Sequence, residues 1–219
     1  MVQVKICGIT NLGDARAACD LGAYALGINF YENSSRALAP AAAWHIRRLL
    51  PSAVQAVGVF VNWKPAAVIA MCASLQLSAA QLHGHESAKD AAVCSKSLPV
   101  IKAFRVPPSV SLERLGEFSR GTQFLIDASR PGHYGGSGRV ADWALARRIA
   151  AVQPIILAGG LTPENVVEAI RAVRPRAVDV ASGVESRPGK KDRGKMREFF
   201  REVERANREL ASAEAGKDA

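Results

Sequence analysis

Eight times along this chain a short apolar run gives way to a stretch with helical periodicity. The apolar runs span residues 2–7, 24–30, 55–61, 79–82, 100–104, 123–127, 154–158 and 177–181. Helix-like stretches follow at 11–21, 41–50, 64–75, 86–95, 109–118, 142–151, 163–173 and 196–209. Strand length in the first set and a 3.6-residue period in the second predict βα units. Start and stop residues agree: Gly22 lies beyond the first helix, Pro65 sits in the first turn of the third, and Thr162-Pro163 opens the seventh as cap and first residue. Regular alternation demands parallel strands, and eight units close most naturally into a (β/α)8 TIM barrel, an α/β fold that suits 219 residues. An open doubly wound sheet is the runner-up, weakened because no G-x-G-x-x-G follows the first run. One catalytic domain over 1–210 is expected, with 211–219 a disordered tail.

In such a barrel the strand C-termini and the loops after them make the active face. The corners here are Cys7, Asn29 to Arg36, Asn62, His83, Arg105, Asp127, Gly159-Gly160 and Ser182-Gly183. They are polar or glycine although the strands feeding them are apolar. Cys7 is the sharpest of them. It is either a thiol delivered to a site for chemistry or a small residue closing a strand, since free cysteine is often buried. The seventh and eighth corners, Gly159-Gly160 and Ser182-Gly183, suit a phosphate. Backbone N–H groups approach phosphate oxygens where no Cβ intervenes, Ser182 offers a hydroxyl, and a short helix start there would add its dipole. Tight turns alone would also explain the glycines.

Composition narrows the partners. The formal charge is +9, and residues 187–208 carry nine Lys/Arg against four Asp/Glu. Without aromatic interleaving, a helix-turn-helix or a metal finger, this reads as a solvated helix face and not as a nucleic-acid patch. A positive field also suits a substrate bearing phosphate and carboxylate. No apolar stretch approaches the ~20 residues that cross a bilayer, and no secretory leader is visible. Cys7, Cys19, Cys72 and Cys94 show neither C-x-x-C nor zinc spacing, so reduced thiols in the cytoplasm are expected. A small phosphorylated substrate, no nucleic acid, no membrane, and a monomer or homodimer are the partner expectations.

Several segments together resemble the phosphoribosylanthranilate isomerase family of tryptophan biosynthesis. They are Lys5-Ile6-Cys7-Gly8-Ile9-Thr10, Gly58-Val59-Phe60-Val61-Asn62, Gln81-Leu82-His83-Gly84, and Asp127 with Gly135-Gly136-Ser137-Gly138 and Asp142-Trp143. Ala158-Gly159-Gly160-Leu161-Thr162-Pro163-Glu164-Asn165-Val166, the run from Asp179 to Ser186, and Pro188-Gly189-Lys190-Lys191-Asp192 complete the set, in family order. Three positions depart from the pattern: Asn29 stands at an apolar position, Ser35 replaces a proline, and Val140-Ala141 precedes Asp142 where phenylalanine is common. Loss of the proline is expected to loosen the loop before Arg36.

The resemblance implies an Amadori rearrangement of N-(5'-phosphoribosyl)anthranilate, an aminoaldose, to an aminoketose, with acid and base but no cofactor and no metal. It implies Asp127 as general acid and Cys7 as general base, with Arg36 on the anthranilate carboxylate. A neighbouring cation, Lys5 two residues back on the same strand face, or the protonated imine of the intermediate would favour the Cys7 thiolate. His83 is expected to organise the pocket. Asp179 is expected to bond the sugar, to orient Cys7 or to make an internal barrel hydrogen bond. Gly159, Gly160, Ser182 and Gly183 are expected at the phosphate. His45, His85 and His133 receive no role. A different phosphosugar barrel enzyme would want paired carboxylates, metal-binding histidines or a Lys–Glu pair, and none of these stands out.

Overall fold

The computed structural model describes residues 1–105, 112–119, 121–127 and 143–215. Eight parallel strands close a barrel in sequence order: β1 (Gln3–Cys7), β2 (Ala25–Asn29), β3 (Gln55–Phe60), β4 (Ala79–Leu82), β5 (Val100–Arg105), β6 (Gln123–Asp127), β7 (Ile155–Ala158) and β8 (Ala177–Val180). Pairing of β1 with β8 completes the ring through Lys5↔Asp179 and Ile6↔Val180. Helices α1 (Leu12–Asp20), α2 (Pro40–Arg47), α3 (Pro65–Ser74), α4 (Ala88–Ser95), α5 (Leu112–Gly116), α6 (Trp143–Ala150), α7 (Val166–Val173) and α8 (Arg193–Ala215) alternate with the strands. Asn11 starts α1 by accepting the Asp14 N–H at 2.9 Å and donating to its Oδ2 at 2.7 Å.

Two apolar clusters result. The larger lies between strands and helices. The smaller fills the barrel, where Ala25, Val57, Ala79, Ile101, Ala103, Leu125, Ile156, Ala158 and Ala177 pack together. Side chains alternate along a strand. The residues two further along from these are therefore inward too: Gly27, Gln81, Arg105, Asp127 and Asp179. Lys5 and Cys7 share that face on β1, and His83 continues the β4 row. The barrel thus has an apolar floor and a polar mouth, and the expected corners lie at the mouth.

The differences from the expected elements are largest after β7. The turn from Thr162 to Glu164 precedes α7, which begins at Val166. Asn165 and Thr162 organise that start together: the Asn165 Oδ1 accepts the Thr162 N–H and its amide donates to the Gly160 carbonyl, both at 2.9 Å, while the Thr162 carbonyl accepts the Val166 N–H at 3.1 Å. After β8 the chain makes only a three-residue 3₁₀ turn, Ser182–Val184, too short to supply a helix dipole. It then forms an antiparallel hairpin, β9 (Glu185–Arg187) with β10 (Lys190–Lys191), which the sequence pattern does not announce. Finally, α8 runs to Ala215, so residues 211–215 of the expected disordered tail are helical. Gly135, Gly136, Ser137 and Gly138, together with His133, Val140, Ala141 and Asp142, lie outside the described residues.

Candidate active site

Cys7 ends β1 half-buried, in register with Gly27 of β2. A Cβ on Gly27 would stand 2.7 Å from the Cys7 sulfur and 3.2 Å from Lys5 Nζ, so both groups occupy the space that the glycine leaves. Lys5 is fully buried, and its Nζ lies 2.9 Å from Asp179 Oδ1. Neither atom has a well-aligned hydrogen bond, so this is a contact of charges. Burial alone would discharge Lys5, but Asp179 and then Cys7 outweigh it and hold the ammonium above its ordinary pKa. For Cys7 the balance runs the other way. Burial pushes the thiol up, Lys5 and Lys191 pull it down, Asp179 pushes it up again, and the net is upward. The cation expected beside Cys7 is present and has the right sign, yet desolvation exceeds it. Asp179, buried under the mouth, makes an internal barrel contact, a charge pair where a hydrogen bond was one of the three alternatives.

Across the ring, Asp127 ends β6 with 16% of its side chain exposed. His83 Nε2 lies 3.8 Å from Asp127 Oδ2, within ion-pair range and beyond hydrogen-bond distance. The Gln81 amide nitrogen lies 2.8 Å from His83 Nδ1 and donates to it. A neutral His83 so held carries its proton on Nε2, toward Asp127. Arg105, in register with Asp127, adds an exposed cation to the same rim.

Arg36 does not present an empty fork. Its Nε donates to Glu185 Oε1 at 2.9 Å and its Nη2 to Glu185 Oε2 at 2.6 Å. Glu185 also accepts from Lys191 Nζ at 2.9 Å, and that buried ammonium donates to the carbonyls of Cys7 at 2.6 Å and Ala181 at 3.0 Å. Burial pushes the Glu185 carboxyl up, but Arg36 and Lys191 outweigh it and hold it below the ordinary range. Asp14 secures the hairpin from α1, accepting the Lys191 N–H at 2.8 Å and lying 3.2 Å from Lys190 Nζ. The loop before Arg36, expected to loosen without the proline, carries local hydrogen bonds. Asn29 accepts the Tyr31 N–H at 2.9 Å and donates to Ser34 Oγ at 3.0 Å, and Ser34 Oγ accepts the Arg36 N–H at 3.1 Å. Asn29, at a position expected to be apolar, thus ties Tyr31 and Ser34 together.

At the seventh corner Gly159 and Gly160 have φ of 93° and 65°, a turn that residues with a Cβ rarely make. Among the described residues nothing stands within 4 Å of where a Gly160 Cβ would be. A Cβ on Gly183 would overlap the Leu161 carbonyl, which brings the eighth corner against the seventh. The N–H groups of Gly160, Ser182 and Gly183 have no hydrogen-bond partner among the described residues. Among those residues there is also no cluster of three potential metal ligands, and no helix is long and apolar enough to cross a membrane.

Sequence reasoning assigned no role to Gly27, Gln81, Glu185, Lys191 or Asp14. Glu185 and Lys191 stand in motifs that were noticed, but their partners lie up to 184 residues away.

The family model for N-(5'phosphoribosyl)anthranilate (PRA) isomerase matches residues 4–202. The N-(5'-phosphoribosyl)anthranilate isomerase of Trichlorobacter lovleyi is 48% identical over 208 residues, covering 94% of this chain and all of that protein. That of Geobacter metallireducens is 47% identical over 201 residues, covering 92% and 98%. A crystal structure of phosphoribosyl anthranilate isomerase from Thermotoga maritima superposes with a TM-score of 0.87 at 43% identity, covering 93% of this chain and 99% of that one. Another, in complex with reduced 1-(o-carboxyphenylamino)-1-deoxyribulose 5-phosphate, gives 0.83 at 40% identity, with the same coverage.

Proposed function

The chain belongs to the N-(5'-phosphoribosyl)anthranilate isomerase family, and from that premise we infer how the residues at its barrel mouth divide the reaction. The enzyme isomerises N-(5'-phosphoribosyl)anthranilate to 1-(2-carboxyphenylamino)-1-deoxyribulose 5-phosphate, an Amadori rearrangement of tryptophan biosynthesis. Asp127, as the acid, gives a proton to the furanose oxygen. The C1–O bond breaks as the anthranilate nitrogen pushes in its lone pair, which leaves an open-chain protonated imine. Cys7, as the thiolate, takes the C2 proton. The C–H electron pair becomes the C1–C2 double bond of an enolamine and neutralises the nitrogen, and tautomerisation gives the ketone.

The raised thiol pKa has two consequences. A thiolate is scarce before substrate arrives, and it is a stronger base once formed. The positive imine adds its charge to those of Lys5 and Lys191 when the base is needed. Gly159, Gly160, Ser182 and Gly183 hold the phosphate through backbone N–H groups and the Ser182 hydroxyl. Arg36 takes the ring carboxylate, and His83, fixed by Gln81, orders the groups beside Asp127. We also expect a cytoplasmic enzyme. The Thermotoga maritima relative is described as dimeric, and sedimentation will distinguish monomer from homodimer for this chain.

The observation that carries the reading is that Cys7 and Asp127 end their strands on the same inward face, above an apolar floor. The test is a fluorescence assay of substrate loss with purified protein. Cys7→Ser and Asp127→Asn should each lower turnover by about 10²–10⁴-fold with folding retained, the usual loss on removing an acid or base. Near-normal turnover in either variant rejects the role of that residue.

A further inference from the structure

Arginine has five N–H donors, and they form two forks. Glu185 occupies the side fork of Arg36, from Nε and one hydrogen of Nη2. The other Nη2 hydrogen and the facing Nη1 hydrogen make a second, end-on fork, which still fits a carboxylate in two-point contact. Arg36 is anchored at its stem as well, since a Cβ on Gly8 would overlap its Cδ. The pair would be neutral if it stood alone. Lys191 adds a cation to Glu185, so the trio carries a net positive charge while the fork is aimed.

We propose that Glu185 is a positioning residue for substrate recognition: it holds one fork of Arg36 so that the other faces the anthranilate carboxylate. Lys191, through its bonds to the Cys7 and Ala181 carbonyls, fixes Glu185 to the first and eighth corners. Recognition of the ring is thereby tied to the strand end that carries the base. The proposal rests on the reading of Arg36 given above and goes beyond it, because Glu185 touches no reacting atom.

Glu185→Gln keeps the shape of the side chain and removes its charge and its two-point grip. Steady-state constants are measured for wild type and variant on two substrates, phosphoribosylanthranilate and the analogue made from aniline, which lacks the carboxylate. The variant should raise KM about tenfold on the first, equivalent to about 1.4 kcal/mol, and leave KM within about twofold on the second. Its kcat should change less than about threefold on either. Glu185→Asp keeps the charge but not the reach, and serves if the glutamine variant does not fold; it should show the same carboxylate-dependent loss. Equal KM effects on both substrates, or none, overturn the role of Glu185. Wild-type enzyme that does not discriminate between the two substrates overturns the role of Arg36, a separate failure.

Discussion

Gly27→Ala adds one methyl group, and the structure sets what it must do. The new carbon would stand 2.7 Å from the Cys7 sulfur, 3.1 Å from the Cys7 Cα and 3.2 Å from Lys5 Nζ. Comfortable separation for such atoms is about 3.5–4 Å, so the thiol must retreat by roughly 1 Å. The methyl cannot escape by backbone rearrangement, because Gly27 is held in the ladder between β1 and β3. Overpacking of this kind costs about 1–3 kcal/mol. Replacing glycine in a strand returns about 0.5–1 kcal/mol, so stability should fall only modestly. Misplacing a reacting atom by about 1 Å can lower rate about 100-fold. The expected result is a protein with a cooperative melt near the wild-type temperature and kcat down roughly 100-fold in the fluorescence assay. Gly116→Ala is the control: its Cβ meets nothing within 4 Å among the described residues, and its activity and melting should match wild type. If Gly27→Ala kept kcat within about twofold, the contact between sulfur and methyl would not govern the base, and the argument from packing to rate would fall.

The raised Cys7 thiol predicts that its alkylation by iodoacetamide, taken as wild type minus Cys7→Ser, rises with pH to a midpoint above the ordinary cysteine value of about 8.5. A midpoint below that value would mean that Lys5 and Lys191 exceed desolvation. Lys102 is buried against Glu86 at 2.7 Å and donates to the carbonyls of Leu82 and Gly84. Lys102→Met leaves that carboxylate buried and unpaired, and should cost about 3 kcal/mol, or roughly 6–12 °C of melting temperature; an unchanged melt would show that the pair contributes nothing. Burial pushes the Glu86 carboxyl up, but Lys102 and the N–H groups of Asn62 and of Glu86 itself outweigh it, and Glu86 like Glu185 sits below the ordinary range. A depressed carboxylate stabilises the fold above its unfolded pKa of about 4.3 and loses that contribution as pH falls through the folded value. Urea midpoints should therefore be flat above about pH 5 and drop in acid below it, less steeply in Glu86→Gln; an equal slope in that variant would place the linkage elsewhere.

The alternation of periods gave away the barrel because each strand and helix announces itself within ten residues or so. Strand ends were legible for the same reason, and reading every corner at once brought Cys7, His83 and Asp127 into one list. What escaped depends on distance. Lys191 looks like one more residue of a basic run, yet it is among the most buried cations of the described chain. Its partners are the Cys7 carbonyl and Glu185, and nothing in local spacing pairs a charge with a group 184 positions earlier. Gly27 was invisible for another reason. A glycine inside a strand reads as a weakness, and only coordinates reveal that its missing Cβ is where the sulfur and the lysine sit. Asn29 shows the same limit: a polar residue at a position expected to be apolar gives no hint of its bonds to Tyr31 and Ser34.

The hairpin after β8 also sets an order of events during synthesis. Cys7 is synthesised long before the groups that seat its strand end, Lys191 at its carbonyl, 184 residues further on, and Asp179 beside Lys5. A nascent chain that already contains seven strands has an open seam and an unfinished base. Early release leaves the pairing of β1 with β8 unmade and the Cys7 strand end without its contacts to Lys191 and Asp179.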